Sequence, residues 1–456
     1  MRLMQLLTSF MPQNWQENNF RHNLRHSFRQ MRRSRKRFLS FLFVVTFATT
    51  VLLHSLIPAF WANDQAIAQI KPQPPQLNQP IPPQNPPVDK RQEIRGVWLT
   101  SNDFSVLRDR QKLGEALKQL KQLNFNTIYP VVWNSGYVMY PSAVAQAAGN
   151  QPFVYRGSEG QDIVADIISQ GHQNNLLVMP WYEFGFMAPQ MSELAITHPD
   201  WLTQQRDGSK TSITAAGEVA WLNPFHPEVQ QFLTDLILEA VSKYDLDGIQ
   251  FDDHTSLPKT FGYDRYTLNL YRQETKKAAP ADVNDPNWVR WRANKITAFM
   301  SRLSKAVKQR KPNVIFSVSP NYHDFAYRQQ LQDWLSWVRQ GFVDELLVQV
   351  YRDDLDDFLA QISRPEIVEV QGKISTAIAI LSGLRNSSVP MSRVYSQAIN
   401  ARNRGLGVSF FYYKSLWGYG PEPVADRQRD FQYLFRSPAP RFANEQSSSV
   451  KKTNLN

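Results

Sequence analysis

The sequence predicts an α/β protein, a (β/α)₈ barrel preceded by an apolar N-terminal helix and a proline-rich linker. Two observations favour the barrel. From residue 94 onward, eight short apolar runs alternate with amphipathic stretches. No G-x-G-x-x-G turn or P-loop is present, which disfavours the alternative, an open doubly wound sheet. The linker is predicted from residues 71–90, where eight of the twenty residues are proline.

The apolar runs are read as strands because they are short, rich in β-branched and aromatic residues, and bounded by polar clusters. The eight predicted strands are Ile94–Leu99, Thr127–Val132, Leu176–Trp181, Gly248–Phe251, Val314–Val318, Glu345–Val350, Ile374–Ile380 and Val408–Tyr412. The amphipathic stretches between them are read as helices, and the one at Pro227 has proline in its first turn. The predicted helices are Gln111–Leu123, Asp162–Asn174, Pro227–Tyr244, Trp288–Arg310, Tyr327–Val338 and Ala425–Phe435.

Four segments divide the chain. They are a basic region with an apolar run at 38–60 (1–68), a Pro/Gln-rich linker (69–93), the barrel (94–440) and a disordered tail (441–456). The apolar run is long enough to cross a bilayer, and its basic flank predicts a cytoplasmic N-terminus. A cleaved signal peptide, with a site after Ala68, and a retained signal-anchor both fit. A buried core helix is disfavoured because nothing nearby supplies packing partners. The sequence therefore predicts export to the periplasm or cell envelope, with a membrane contact if the segment is retained.

The charge distribution argues against a nucleic-acid surface. Residues 1–37 hold nine Arg or Lys and one acid, so they carry +8 of the net charge of +11. The basic excess is a targeting signal, and a basic arm on RNA is the disfavoured alternative. The chain has no cysteine, which excludes thiol nucleophiles and thiolate metal sites. We expect a monomer with no nucleic-acid partner.

The fourth predicted strand brings carboxylates to one end of the barrel. Successive side chains in a strand point to opposite faces, so Ile249 and Phe251 should pack under helices. Gln250 and Asp252 should then face the barrel mouth. A carboxylate at the C-terminal end of a parallel strand lies where barrel enzymes have their chemistry. The alternative for Asp252 is a turn or helix-capping role.

Other strand ends supply amides, acids and aromatic rings to the same mouth. Trp and Tyr faces stack on sugars, and amides and acids hydrogen-bond hydroxyl groups. A phosphate site would instead need Gly-rich backbone or clustered Arg and Lys. The mouth therefore predicts a polysaccharide ligand, and the candidate substrate-binding residues are Trp133, Asn134, Trp181, Tyr182, His254, Asn321, Gln349, Tyr351, Lys414 and Trp417.

Carboxylates on neighbouring strands can divide acid and base work, as in glycoside hydrolysis. Glu183 follows an apolar run, and apolar surroundings raise a carboxyl pKa, which suits a general acid. Its alternative is a salt bridge with Arg95. Asp253 could be the acid, a neighbour of the nucleophile, a sugar ligand or a loop cap. His254 has no second histidine at metal-ligand spacing, and no EF-hand-like loop supports calcium, so we expect no metal and no cofactor.

Several segments resemble the glycosyl-hydrolase-like family 10 domain. They are Ile94–Thr100, Phe125–Trp133, His198–Trp201, Trp221–Pro224 and Asp247–Asp253. The resemblance implies an exported barrel glycosidase, in a family with members that cut peptidoglycan glycan strands stripped of peptides. It also implies that Asp252 and Asp253 belong to the acidic strand-four motif, and it adds Asn223 to the candidate substrate-binding residues. His254 stands where relatives often have an aromatic residue.

The sequence thus predicts a glycosidase acting on a polysaccharide, most simply peptidoglycan glycan. Asp252 would be nucleophile or base, and Glu183 or Asp253 the acid. The rival from another class is a non-catalytic glycan-binding protein on the same barrel. A metal-dependent deacetylase is disfavoured because no histidine pair is present. The sequence leaves the linkage and the stereochemical course open.

Overall fold

The computed structural model describes residues 93–150, 160–214, 217–439 and 441. The predictions for the basic region, the apolar run and nearly all of the linker and tail lie outside these residues. Within the described ranges, no helix combines the length and apolar character needed to cross a membrane.

Eight parallel strands form the central sheet. They are β1 (Arg95–Leu99), β2 (Thr127–Pro130), β3 (Leu177–Val178 continuing as Trp181–Tyr182), β4 (Gly248–Asp252), β5 (Ile315–Ser319), β6 (Glu345–Gln349), β7 (Ser375–Leu381) and β8 (Gly407–Phe411). Each strand pairs with its neighbours in sequence, and β8 pairs with β1. Within β3, the Met179 amide donates to Ile128 of β2, and the Pro180 carbonyl accepts from Gln250 of β4. The sheet therefore closes, and the predicted α/β barrel is confirmed.

Helices follow the strands and cover the outside of the barrel. The longer ones are Arg110–Gln122, Ile163–Gln173, Pro227–Lys243, Arg265–Thr275, Pro286–Arg310, His323–Gln330, Leu355–Ile362, Met391–Asn403 and Val424–Leu434. Short helices lie at Phe104–Leu107, Ala143–Ala147, Glu193–Thr197, Trp334–Arg339, Pro365–Gln371 and Tyr413–Gly418, with a 3₁₀ turn at Ser101–Asp103. The single helix predicted over Tyr327–Val338 is wrong. Leu331 has a left-handed φ of 55°, which ends one helix before the next begins at Trp334.

The long segment between β3 and β4 folds as a small antiparallel sheet beside the mouth. Its strands are Met187–Pro189, Thr211–Thr214 and Gly217–Trp221, in the order first, third, second. The aromatic residues of the two family motifs here are structural. Trp201 donates from Nε1 to Glu228 (2.8 Å), and Trp221 donates from Nε1 to Ser212 (2.9 Å). The first bond holds the segment against the helix Pro227–Lys243, and the second joins two strands of the small sheet.

A chain of buried polar groups runs through the barrel interior. Trp98 donates to Gln250 (2.7 Å), and Gln250 donates to Ser317 (3.0 Å). Ser317 donates to Glu345 (2.8 Å), which also forms an ion pair with Arg441. The inward direction of Gln250 confirms the alternation predicted for β4. Buried charges need such partners, because an unpaired one is costly.

We expect Arg441→Met to lower the free energy of unfolding by about 3 kcal/mol, because Glu345 is then a buried, unpaired charge. The double variant Arg441→Met/Glu345→Gln should recover most of this loss, since it leaves no charge behind. Urea unfolding of the three proteins measures both effects. A loss below about 1 kcal/mol in the single variant would show that Arg441 is not a partner of Glu345 in solution.

Candidate active site

Asp252 is the last residue of β4 and lies at the C-terminal mouth of the barrel. Its Cα pairs in register with Ser319 of β5, and it is only 3% exposed. On the other side of β4, Gln250 pairs with Trp181 and Phe251 with Tyr182. The next step of this register brings Glu183 level with Asp252, on the same inward face, because side chains alternate along a strand. The predicted adjacency of the third and fourth strands is therefore confirmed.

The loop after β3 fixes Glu183 beside this strand end. Gly185 has a φ of 47°, and a Cβ built there would lie 2.5 Å from the His254 carbonyl oxygen. The Phe186 amide donates to the same oxygen at 3.1 Å. Only glycine allows the two loops to approach so closely. Their contact holds the Glu183 and Asp252 backbones together.

Asn134 holds the Glu183 carboxyl group. Its Nδ2 donates to Glu183 Oε2, and Ser135 donates to Asn134 Oδ1 at 2.7 Å, which orients the amide. Burial and the nearby charge of Asp252 raise the pKa of Glu183 to about 7, although the bond from Asn134 lowers it. The salt bridge considered for Glu183 does not form, because Arg95 pairs with Glu93 at the opposite end of β1. A carboxyl that titrates near neutrality can act as a proton donor.

His254 supplies a positive charge beside the acid cluster, which consists of Glu183, Asp252 and Asp253. Its Nδ1 contacts Asp252 at 3.2 Å and the Glu183 carbonyl oxygen at 3.0 Å, and its amide donates to Asp252 (2.9 Å). Oxygen atoms of these types accept, so Nδ1 must carry a proton. Burial lowers the pKa of His254, but the charges of Asp252 and Asp253 outweigh burial and raise it to about 10. The ring is therefore an imidazolium at neutral pH.

The ion pair with His254 also affects the protonation state of Asp252. Burial raises the pKa of Asp252 to about 6, against the lowering effect of the His254 charge and hydrogen bonds. Asp252 is thus more acidic than Glu183, and near neutral pH a larger fraction of Asp252 is ionised. Unequal environments of this kind separate the two roles of a carboxyl pair.

Asp253 lies beside this pair and is held by three amide side chains. Asn321 (2.9 Å) and Gln330 (3.2 Å) donate to its Oδ2, and Gln349 donates to its Oδ1 at 3.2 Å. Both oxygens accept from fixed donors, an arrangement that suits an orienting residue or a sugar ligand better than a proton donor. Sequence reasoning missed Gln330, because it lies 77 residues from Asp253 and no local pattern marks it.

Aromatic rings line the remainder of the mouth. Trp181 lies 6.4 Å from Trp98 and 6.3 Å from Phe411 between ring centroids, and Tyr351 lies 6.0 Å from Phe411. Burial and the charges of the two aspartates raise the pKa of Tyr351, which places its hydroxyl near the acids. Phe411, the last residue of β8, is not among the candidates predicted from the sequence, and it is partly exposed here. Strand alternation with the inward-facing Ser409 could have identified it.

Two buried polar atoms, one near the C-terminal end of β3 and one at that of β5, have no hydrogen-bond partner among the described residues. They are Nε1 of Trp181 and Oγ of Ser319, the residue in register with Asp252. Buried donors are normally hydrogen-bonded, so both are available to a polar ligand. A sugar hydroxyl group has the chemistry to bind them.

Five candidate residues lie outside the acid cluster. Trp133 is fully buried against Phe232, and Tyr182 stacks on Phe251 on the outer face of β4. The other three candidates make contacts away from the acid cluster. Asn223 binds Asp264 and Thr267, Lys414 is exposed while its amide caps the buried Asp103, and Trp417 packs on Phe431. Neither Trp133 nor Tyr182 presents a ring face to a ligand.

Asp252, Asp253 and His254 also have the spacing of a cation site. One possible ligand atom from each residue lies within 4.8 Å of the others. These atoms already bond one another or side-chain amides, and His254 carries the proton that a metal would displace. The donor set is thus satisfied within the described residues.

A family model for "Glycosyl hydrolase-like 10" matches residues 93–400. The chain belongs to this family. Glycosyl hydrolase DigH of Escherichia coli strain K12 is 27% identical over 302 residues, which cover 57% of this chain and 66% of DigH. Glycosyl hydrolase YngK of Bacillus subtilis strain 168 is 23% identical over 297 residues, covering 57% of this chain and 54% of YngK. The chain thus matches less than two thirds of the length of either relative.

The fold agrees with this membership. The glycoside hydrolase domain of PgaB (BpsB) from Bordetella bronchiseptica superposes with a TM-score of 0.55 at 13% identity. The match covers 75% of this chain and 98% of that domain. Identity at this level shows a shared barrel fold and nothing finer.

We expect His254→Asn to raise the pKa of Asp252 by about 1 unit or more, because an adjacent opposite charge lowers a carboxyl pKa by about that amount. Asparagine can keep a donor near the Nδ1 position. Carbon-13 NMR titration of aspartate-labelled protein measures the shift, with Asp252→Asn used to assign the resonance. His323→Asn, which removes a histidine paired with Asp333, is the matched control. An unchanged Asp252 titration would contradict the ion pair.

Proposed function

We propose that this protein is an exported glycoside hydrolase that cleaves glycosidic bonds in a polysaccharide, most simply the glycan strands of cell-wall peptidoglycan. The observation that carries the proposal is the pair Glu183 and Asp252, level on neighbouring strands and with pKa values of about 7 and 6. Family membership supports glycan hydrolysis, while the peptidoglycan substrate rests on the sequence resemblance and the predicted export segment.

In this mechanism Glu183 is the general acid. Asn134 donates to Oε2, which leaves Oε1 to carry the proton toward the glycosidic oxygen. Protonating that oxygen lets the sugar leave as a neutral hydroxyl group rather than an alkoxide. Burial keeps a useful fraction of Glu183 protonated near neutral pH.

Asp252 is the nucleophile or the base. His254 keeps it ionised and fixes its orientation through both the ring and the main-chain amide. As nucleophile it would attack the anomeric carbon, and as base it would take a proton from the attacking water. Asp253, oriented by its three amides, is assigned to substrate positioning. The mouth aromatics Trp181, Tyr351 and Phe411 would pack against sugar rings.

We expect Asp252→Asn to abolish nearly all turnover of purified peptidoglycan glycan, because a neutral amide can serve neither as nucleophile nor as base. Glu183→Gln should lose roughly 10²–10⁴-fold, the usual contribution of positioned acid catalysis, with the larger losses on poor leaving groups. Product analysis by mass spectrometry and thermal unfolding of each variant give the measurements. If the parent protein binds the glycan but releases no products, the non-catalytic glycan-binding function is correct.

The two pKa values also predict a narrow, bell-shaped pH profile for kcat/KM. Activity requires Asp252 ionised and Glu183 protonated, so it should fall below about pH 6 and above about pH 7. Replacing Asn134 by alanine removes a bond that lowers the Glu183 pKa, and the basic limb should therefore move to higher pH. A basic limb that stays fixed in Asn134→Ala would assign that limb to another group.

A further inference from the structure

Arg352, in the loop that follows β6, has no acidic partner within the described residues. Its Nη1 donates to the main-chain oxygen of Tyr351 at 3.0 Å, and its guanidinium lies 5.5 Å from the ring centroid of Tyr322. By contrast, Arg364 pairs with Asp324 and Glu366, and Arg393 pairs with Asp353. Arg352 is half-buried, and within the described residues no carboxylate pairs with its guanidinium.

The position of Arg352 is tied directly to the acid cluster. Tyr322, over which it lies, follows Asn321, and Asn321 donates to Asp253. Asn321 also pairs with Gln349, the last residue of β6 and the second amide donor to Asp253. Arg352 follows three residues after that strand end. The guanidinium therefore lies on the β5 and β6 side of the mouth, over the ring of the residue that follows Asn321.

The chemistry of this position suits a carboxylate on the ligand. A guanidinium offers a planar set of donors that matches the two oxygens of a carboxylate, and stacking on an aromatic ring fixes its plane. The mouth also holds three acids, Glu183, Asp252 and Asp253, and the imidazolium of His254 contacts two of them. An anionic glycan would be repelled there unless a separate cation met its charge.

We propose that Arg352, supported by Tyr322, binds a carboxylate substituent of the glycan next to the scissile bond and thereby selects anionic strands. This inference rests on the proposed function. In peptidoglycan glycan, the lactyl group of N-acetylmuramic acid carries such a carboxylate when no peptide is attached. Amide formation on that group removes both its charge and one acceptor oxygen, so Arg352 would distinguish the two forms.

The test compares peptide-free glycan strands with the same strands whose lactyl carboxylates have been converted to methylamides. The full-length parent should have a kcat/KM about 10- to 100-fold higher on the free carboxylate, the usual strength of a hydrogen bond to a charged group. In Arg352→Gln this ratio should fall to near one, and Arg352→Lys should lie between, because it keeps the charge without the planar fork. The matched control is Arg393→Gln, which removes an arginine already paired with Asp353 and should keep the parent's ratio.

Each outcome separates this inference from the function on which it rests. A parent that cleaves both strands equally, or an Arg352→Gln variant that keeps the parent's ratio, overturns the role of Arg352 and leaves the glycosidase intact. Equal losses on both substrates in Arg352→Gln, with an unchanged melting temperature, also overturn it, because they indicate a role independent of the carboxylate. A parent that cleaves neither strand overturns both proposals.

Discussion

The active-site geometry depends on how three carboxylates share one largely buried barrel mouth. Removing carboxylates from water is costly, and placing them side by side adds repulsion. His254 offsets part of this cost as a cation that contacts Asp252 directly and has Asp253 within 3.8 Å. The three amides on Asp253 and the single amide on Glu183 stabilise the remaining oxygens. The unequal sharing of these partners gives each acid a different environment.

The loops that follow β3 and β4 fix the relative positions of these charged groups. Their main chains meet at Gly185 and His254, and the His254 ring contacts the Glu183 carbonyl as well as the Asp252 carboxylate. His254 therefore links the backbone of Glu183 to the side chain of Asp252. A site built in this way is precise because strands and short, packed loops hold it, rather than a long flexible segment. The antiparallel sheet after β3 supports the same loop from outside.

The alternation of strands with helices predicted the barrel, and the alternation of side chains along β4 predicted the inward Gln250 and Asp252. Candidates taken as consecutive residues after a strand did not follow this second rule. Tyr182 lies between the inward Trp181 and Glu183, so alternation itself places it outward, on Phe251. The positions of Trp133 and Asn223 were not predictable for another reason, because their partners Phe232 and Asp264 come from distant parts of the chain. The bonds from Asn134 to Glu183 and from Gln330 to Asp253 are equally non-local, and no short sequence pattern marks them.

The electrostatics of the mouth also constrain the substrate. A glycosidase needs acids near its scissile bond, and those acids lower the affinity of the mouth for an anionic polymer. A cation placed among them would pair with the acids and change their pKa values, as His254 does. On the proposed function, Arg352 over the ring of Tyr322 would meet the charge of the substrate without shifting the pKa values of Glu183 and Asp252. Separating the two cations in this way would let one barrel mouth perform acid catalysis on an anionic glycan.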